Sequence, residues 1–201
     1  LEIDGAMSYA MVWLNGQFVG GWPYGYSSWR VDLTPHLKPG GENVLAIRLD
    51  NPRESSRWYP GRGIYRNVWL LKTSPVQVAQ WGVFVTTPAV AKEWALVDVG
   101  ITLENKTAAR VEPQVGVKIF AADENGRPAG EAVAASEARK LRVEPARQAS
   151  ISHTVSVASP KLWGLTERHR YVAETTISLD GEVVDRVLTP FGIRTIEQTA
   201  D

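Results

Sequence analysis

The sequence predicts an all-β protein built from two successive sandwich domains. Apolar residues alternate with polar ones along almost every segment, and β-branched and aromatic residues fill the apolar positions. Helical periodicity is almost absent. A polar stretch that ends in a proline, Lys72–Pro75, interrupts the alternation and marks the predicted domain boundary. The predicted domains are residues 1–73 and 74–196, and residues 197–201 begin a linker.

The first predicted domain opens with a hairpin. Asn15-Gly16 lies between two apolar runs, 11–14 and 17–20, and both of its residues accept the positive φ angles of a type I′ turn. Thr34 is the predicted N-cap of a single helical turn, with Pro35 at its first position. Further strands are predicted at Trp29–Leu33, Asn43–Asp50 and Ile64–Leu71. These strands are too few for a complete sandwich, and Leu1–Gly5 resembles the inside of a strand. We therefore expect residues 1–73 to be the latter half of a larger β domain, and the chain to be an excised fragment.

The second predicted domain has about seven short strands in about a hundred residues, with turn residues at nearly regular intervals. Asp123–Gly126 and Asp180-Gly181 are two of these turns. This spacing is typical of an immunoglobulin-like sandwich. The predicted strands are 76–86, 94–104, 114–121, 140–143, 149–157, 170–179 and 182–188.

The composition excludes several classes of function. Lys+Arg 22 balance Asp+Glu 22, so the chain has no basic excess for a nucleic acid. Cys 0 excludes disulfides, thiolate catalysis and cysteine-based metal sites. No apolar run approaches the roughly 20 residues that span a bilayer, and no metal-binding motif occurs. We therefore expect no cofactor, no metal, and neither a nucleic-acid nor a membrane partner; cytoplasm and periplasm both fit the lack of cysteine.

Catalytic motifs are equally scarce. No G-x-S-x-G elbow occurs, and His36, His153 and His169 are scattered over predicted surface or strand-end positions, which favours structural or exposed histidines. Asp50 and Glu54 could form a glycosidase carboxylate pair beside the loop between residues 51 and 63. We favour the interpretation of Asp50 as a turn residue and of Glu54 as a solvated ion-pair partner. The glycosylation sequon beginning at Asn105 is short enough to arise by chance and carries little weight.

Aromatic residues crowd two connections of the first domain. The chain has Trp 8, a high count for its length. Aromatic side chains on the loops of a sandwich stack on sugar rings or pack against a neighbouring domain. Both interpretations remain open, and the sequence favours the domain interface. The crowded residues are Trp22, Tyr24, Tyr26 and Trp29 in one connection, and Trp58, Tyr59, Tyr65 and Trp69 in the other.

One set of motifs runs through the first domain in a fixed order and spacing. These motifs are Val12–Gly16, Val19-Gly20, Gly25-Tyr26, Asp32–Thr34, Leu37–Gly40, Asn43–Ile47 and Ser56–Leu70. Together they resemble the amino-terminal sandwich of glycoside hydrolase family 2, and most closely its β-galactosidase branch. Two later motifs, at 159–163 and 191–197, are similar to the immunoglobulin-like domain that follows in that family. The resemblance covers essentially the whole chain.

The resemblance implies a partial jelly-roll sandwich, of the galactose-binding-like type, followed by an immunoglobulin-like sandwich. In the family, the motif at 191–194 leads into a TIM barrel that holds both catalytic carboxyl groups, and this sequence ends before that barrel. The resemblance therefore implies no catalytic residue here. It implies a supporting part of a retaining exo-β-glycosidase in carbohydrate metabolism, inactive by itself and partnered by its own barrel.

Several alternatives to this function stay open. Within the enzyme class, β-glucuronidase and β-mannosidase are alternatives to β-galactosidase. Outside it, a stand-alone carbohydrate-binding or adhesin-like module competes, as does a purely structural pair of domains. A homo-oligomer is a further expectation, because a truncated sandwich leaves an unpaired sheet edge.

The resemblance also implies site residues. The loop between residues 22 and 28 is where some β-galactosidases carry an acidic residue that contacts the sugar, and here it contains no carboxylate. Tyr24 and Tyr26 become the candidate contacts to a β-linked sugar. The predicted docking residues for the barrel are Arg57, Trp58, Tyr59 and Arg62.

Overall fold

A computed structural model describes residues 1–52, 54 and 61–196 of the chain. The chain divides into two compact units, Leu1–Lys72 and Thr73–Asp201. Strands form almost all the regular structure, and the helical content of the described residues is a single 3-10 turn, Thr34–His36. No helix in this described part is long and apolar enough to cross a membrane. The predicted all-β class is confirmed.

The described residues of the first unit form eight short strands in three small antiparallel sheets. Their orders are β5-β1-β8, β2-β7 and β4-β3-β6. The strands are β1 (Glu2–Ile3), β2 (Ala6–Met7), β3 (Ala10–Leu14), β4 (Gln17–Trp22), β5 (Trp29–Arg30), β6 (Leu45–Arg48), β7 (Gly63–Ile64) and β8 (Val68–Trp69). Their core contains eight buried residues: Leu1, Ile3, Ala6, Ala10, Val12, Leu14, Trp29 and Leu33.

The predicted hairpin is present between β3 and β4. Asn15 and Gly16 have φ angles of 54° and 81°, as the type I′ turn requires. The Asn15 side chain also binds the neighbouring segments: its Nδ2 donates to the His36 carbonyl oxygen over 2.9 Å, and its Oδ1 accepts from the Val44 amide over 3.0 Å. The turn residue therefore fixes the hairpin and the connection that leads to β6.

Three predicted elements of this unit differ from the structure. The predicted strand 64–71 is divided into β7 and β8, because the amides of Tyr65 and Arg66 both bond to the Gly5 carbonyl oxygen. The predicted strand 29–33 ends at Arg30. Thr34 begins the 3-10 turn instead of capping it; Leu33 occupies the cap position, and the Asp32 carboxylate accepts the Thr34 amide over 2.9 Å.

The second unit is a sandwich of two antiparallel sheets. One has the order β14-β10-β9, and the other has the order β12-β11-β15-β16 with β13 also paired to β11. This division of the strands matches an immunoglobulin-like sandwich with β12 added at one edge. The strands are β9 (Val76–Val90), β10 (Trp94–Asn105), β11 (Gln114–Ala122), β12 (Pro128–Ala135), β13 (Arg139–Lys140), β14 (Arg147–Ala158), β15 (Tyr171–Leu179) and β16 (Glu182–Phe191).

The core of this unit lies between the two sheets. Every second residue of β10 from Ala95 to Leu103 is buried, and the same alternation on β11 buries Val115, Val117 and Ile119. Ile193, beyond the end of β16, is also completely buried in this core. The period-two pattern of the sequence therefore matches the faces of the sheets.

One strand was missed and one histidine was misplaced by the sequence analysis. Strand β12 contains mostly small residues, with a proline, a glycine and a single β-branched residue, Val133, and it lies exposed at the edge of its sheet, where proline is tolerated. His153, expected at a surface or a strand end, lies within β14 opposite Val99 and is buried. It belongs to the inward-facing set of β14 that includes Ile151 and Val155.

Candidate functional site

The loop between residues 22 and 28 is held at three points. The Tyr9 amide donates to the Pro23 carbonyl oxygen over 3.1 Å, and the Trp22 indole donates to the Ser27 hydroxyl over 2.9 Å. In the middle of the loop, the Tyr65 hydroxyl donates to the Gly25 carbonyl oxygen over 2.8 Å. The loop therefore has a defined conformation before any ligand binds.

Tyr24, Tyr26 and Tyr65 form a connected group, which we call the tyrosine cluster. The ring centroids of Tyr24 and Tyr26 are 5.7 Å apart, and those of Tyr26 and Tyr65 are 6.4 Å apart, both in edge-to-face geometry. Arg66 places its guanidinium 5.5 Å from the centroid of the Tyr65 ring. Tyr24 is 58% exposed and Tyr26 is 40% exposed. The structure thus brings the two predicted sugar contacts side by side with accessible rings.

Gly25 allows the loop to approach β2 closely. A Cβ atom at Gly25 would lie 2.5 Å from the Met7 sulfur, so any side chain there would displace the loop or Met7. Gly5 likewise leaves room for the Tyr65 ring, because a Cβ atom added at Gly5 would lie 2.8 Å from the Tyr65 Cζ atom. These two glycines set the position of the tyrosine cluster.

Asp4 is a carboxylate near this loop that the sequence analysis did not single out. Its Oδ2 accepts the Trp69 indole N–H over 2.9 Å, and its Oδ1 accepts the Ser28 hydroxyl over 3.3 Å. Both carboxylate oxygens are engaged, so Asp4 orients Trp69 and the end of the loop. The donors come from positions distant in sequence, and no local pattern signals such a pairing.

The predicted docking residues are only partly described. Arg62 is exposed, and the Asn51 side chain donates to the carbonyl oxygen of the preceding Gly61 over 3.1 Å. Arg57, Trp58 and Tyr59 lie outside the described residues. The docking role of all four residues stays a prediction.

The remaining acidic candidates occupy exposed positions. Asp50 and Glu54 are both exposed, and Glu54 has a φ angle of 60° in a turn. Neither carboxyl is enclosed in an apolar pocket, as a general acid of a glycosidase is. In residues 1–52, 54 and 61–196, no group of three or more His, Asp and Glu side chains converges to hold a metal ion.

The histidines are not paired for catalysis. His36 contacts the Gln17 amide oxygen over 2.7 Å, and His169 lies 3.3 Å from the Glu167 carboxylate. Burial, assisted by the charge of Arg139, lowers the pKa of His153 below its ordinary value of 6.5. These contacts and this burial favour structural roles for all three histidines.

Asn105, the first residue of the sequon, is completely buried. Its Nδ2 donates to the carbonyl oxygens of Ala109 and Val143 over 2.8 Å and 3.2 Å, and its Oδ1 accepts the Thr107 amide over 2.9 Å. A side chain engaged in this way is no acceptor for a glycan. The sequon is therefore a structural Asx motif.

Residues 78–194 match the family model described as glycosyl hydrolases family 2. The chain belongs to this family. It is 38% identical over 201 residues to "Beta-galactosidase BoGH2A" of Bacteroides ovatus, covering 100% of this chain and 23% of that protein. It is 32% identical over 198 residues to a "Putative beta-glucuronidase" of Formosa agariphila, covering 98% of this chain and 18% of that protein. The chain thus spans about a quarter or less of these two relatives.

Solved structures in the family share the fold. A glycosyl hydrolase family 2 member from Bacteroides cellulosilyticus matches with a TM-score of 0.89 and 30% identity, over 98% of this chain and 24% of that one. A putative β-galactosidase from Bacteroides fragilis matches with a TM-score of 0.85 and 26% identity, over 99% of this chain and 30% of that one. The sequence resemblance and the predicted fold class are confirmed.

Proposed function

We propose that this chain is the non-catalytic supporting part of a retaining β-galactosidase. The observation that carries the proposal is the match to BoGH2A, which extends over the whole chain yet covers 23% of that β-galactosidase. A match of this extent fits two accessory sandwich domains of a larger enzyme. Their task in carbohydrate metabolism is to support the catalytic barrel and to shape the entrance for the substrate.

The chemistry of the described residues supports a non-catalytic role. A retaining glycosidase places two carboxyl groups about 5–5.5 Å apart, one as nucleophile and one as general acid. Here Asp50 and Glu54 are solvent-exposed, and both oxygens of Asp4 are engaged by neighbouring donors. On this proposal the catalytic carboxyl groups belong to the barrel, and the isolated chain is inactive.

The tyrosine cluster is the part of the chain that we assign to the substrate entrance. Its loop is held by the hydrogen bond between Tyr65 and Gly25, which lowers the entropic cost of ordering Tyr24 and Tyr26 on binding. The apolar face of a pyranose packs on such exposed rings. Arg57, Trp58, Tyr59 and Arg62 are proposed to dock on the barrel, where a guanidinium binds a carboxylate or carbonyl oxygen.

The proposed sugar is galactose, because the β-galactosidase relative is 38% identical and the putative β-glucuronidase relative is 32% identical. The test is the hydrolysis of chromogenic β-galactoside, β-glucuronide and β-mannoside by the complete enzyme. We expect the highest kcat/KM for the β-galactoside. A higher value for either other substrate would replace galactose in the proposal.

A pair of variants tests the entrance role. Tyr24→Ala in the complete enzyme should raise KM for the β-galactoside several-fold, since it removes a contact to the bound sugar. Tyr9→Ala is the matched control, because Tyr9 is 50% exposed and lies outside the tyrosine cluster. Equal KM values for the two variants would remove Tyr24 from the substrate entrance.

A further inference from the structure

Two aromatic side chains project from the outer face of the sheet β14-β10-β9. Trp81 is 71% exposed and Phe84 is 72% exposed, and both border one open groove of about 400 Å³. We call this feature the outer groove. Its other lining residues are Gly82, Gly100, Ile101, Thr102, Ser150, Ile151 and Ser152. None of the lining residues is charged, so the groove suits a neutral occupant.

A bulge in β9 presents Trp81 to solvent. Leu103 of β10 pairs with Val78 and Ile101 pairs with Val83, so residues 79–82 are all accommodated opposite Thr102. Trp81 has a φ angle of 51°, which is unfavourable for a bulky side chain. Strained positions and bulges of this kind cluster at functional sites, where they redirect a side chain.

Gly82 makes this bulge possible. A Cβ atom at Gly82 would lie 2.6 Å from the Thr102 carbonyl oxygen and 2.8 Å from the Ala79 carbonyl oxygen. The backbone is therefore packed too closely for any other residue. The fold maintains an exposed indole at a strained position, although exposure of this apolar surface is unfavourable.

The groove is open and mainly apolar, and three of its lining residues carry hydroxyls. Gly100 lies between the inward-facing Val99 and Ile101, so it faces outward and leaves a gap beside Phe84. Across the gap, the hydroxyls of Thr102 and Ser150 are 2.9 Å apart. The rings are thus bordered by small residues and by hydroxyls that can hydrogen-bond with a sugar.

We propose that the outer groove binds a pyranose ring of a neutral glycan. The C–H face of the sugar would pack on the indole of Trp81 and the ring of Phe84, and its hydroxyls would hydrogen-bond with Thr102, Ser150 and Ser152. The groove is a binding site without catalytic groups. This inference goes beyond the proposed function, because it requires neither hydrolysis nor the barrel.

The test is an NMR titration of the ¹⁵N-labelled 201-residue chain with lactose, cellotetraose and xylotetraose as separate probes. We expect at least one probe to shift the Trp81 indole N–H resonance, assigned by its loss in Trp81→Phe. Phe84→Ala should weaken this binding about tenfold, as expected for one lost stacking contact of roughly 1.4 kcal/mol.

Gly100→Val gives a second variant that fills the groove and leaves both rings in place. An added Cβ there meets nothing closer than the Phe84 carbonyl oxygen at 3.7 Å, so the fold should accept it. Trp94→Ala is the matched control, because Trp94 is 43% exposed on β10 and does not line the groove. We expect the glycan affinity to be lost in Gly100→Val and unchanged in Trp94→Ala.

Three outcomes would overturn the proposal. One is the absence of any Trp81 shift with all three probes. Another is binding that Gly100→Val leaves intact and Tyr24→Ala abolishes, which would place the sugar at the tyrosine cluster. The third is a dimer that Trp81→Ala disrupts in a chain that binds no sugar. Hydrolysis by the complete enzyme is measured separately, so failure here leaves the proposed function unaffected.

Discussion

The hydroxyl of Tyr65 donates a hydrogen bond to the carbonyl oxygen of Gly25 over 2.8 Å, joining positions that are 40 residues apart. The contact links the segment between β7 and β8 to the loop that carries Tyr24 and Tyr26. A Cβ atom at Gly5 would lie 2.8 Å from Tyr65 Cζ, so the ring occupies a site that only glycine leaves open. The candidate sugar contacts therefore depend on a long-range contact within the first unit.

Tyr65→Phe removes this hydrogen bond and keeps the ring. We expect a loss of about 1 kcal/mol in the free energy of unfolding, because the Gly25 carbonyl loses its donor. Urea denaturation measures this loss. Tyr9→Phe is the control, since within the described residues the Tyr9 hydroxyl makes no hydrogen bond. Equal stability of Tyr65→Phe and the unsubstituted chain would show that the loop is held by its other contacts.

Asn105→Ala should be among the most destabilising single substitutions in the second unit. The buried amide donates to the carbonyl oxygens of Ala109, Val143 and Glu144 and accepts the Thr107 amide, and alanine would remove all of these hydrogen bonds. The expected loss in the free energy of unfolding is about 3 kcal/mol. Thermal and urea unfolding both measure it.

Asn125→Ala is the matched control for Asn105→Ala. Asn125 is exposed in a turn, so the same change should alter the free energy of unfolding by less than about 0.5 kcal/mol. Similar losses for the two variants would mean that the buried amide is not the source of the stability.

His153 should make the second unit sensitive to acid. Its folded-state pKa lies below the ordinary value of 6.5, so the unfolded chain binds the proton more readily. Above pH 6.5 the neutral ring makes its full contribution to the free energy of unfolding. This contribution falls as the pH drops below that value. We expect His153→Gln to flatten the stability profile between pH 7 and pH 5, measured by urea unfolding.

The control for this pH dependence is Ser156→Ala. Ser156 is exposed on the same strand and has no group that titrates in this range, so its loss should leave the profile unchanged. An unaltered slope in His153→Gln would assign the acid sensitivity to carboxylates instead.

The parts of the fold that follow local rules were predictable. Asn15-Gly16 specifies its turn through the φ angles of two adjacent residues, and the apolar alternation of β10 defines which face is buried. The inward position of His153 was also readable, because it shares its phase with Ile151 and Val155 whereas Ser152 and Thr154 lie on the exposed face.

The features that depend on distant contacts were not predictable. Strand β12 is specified by pairing with β11 rather than by its own residues, which are poor strand formers. The bulge at Trp81 depends on backbone contacts between Gly82 and Thr102. Tyr24 and Tyr26 were singled out from a family resemblance, and the partner that holds their loop, Tyr65, lies on another segment.

Hydrolysis of a chromogenic β-galactoside by the purified 201-residue chain, measured beside the complete enzyme, shows directly where the reaction takes place. We expect activity in the complete enzyme alone, because the catalytic carboxyl groups are proposed to lie in the barrel. Hydrolysis by the isolated chain, lost on replacing Asp50 or Glu54, would contradict the account and place the reaction in these two sandwiches.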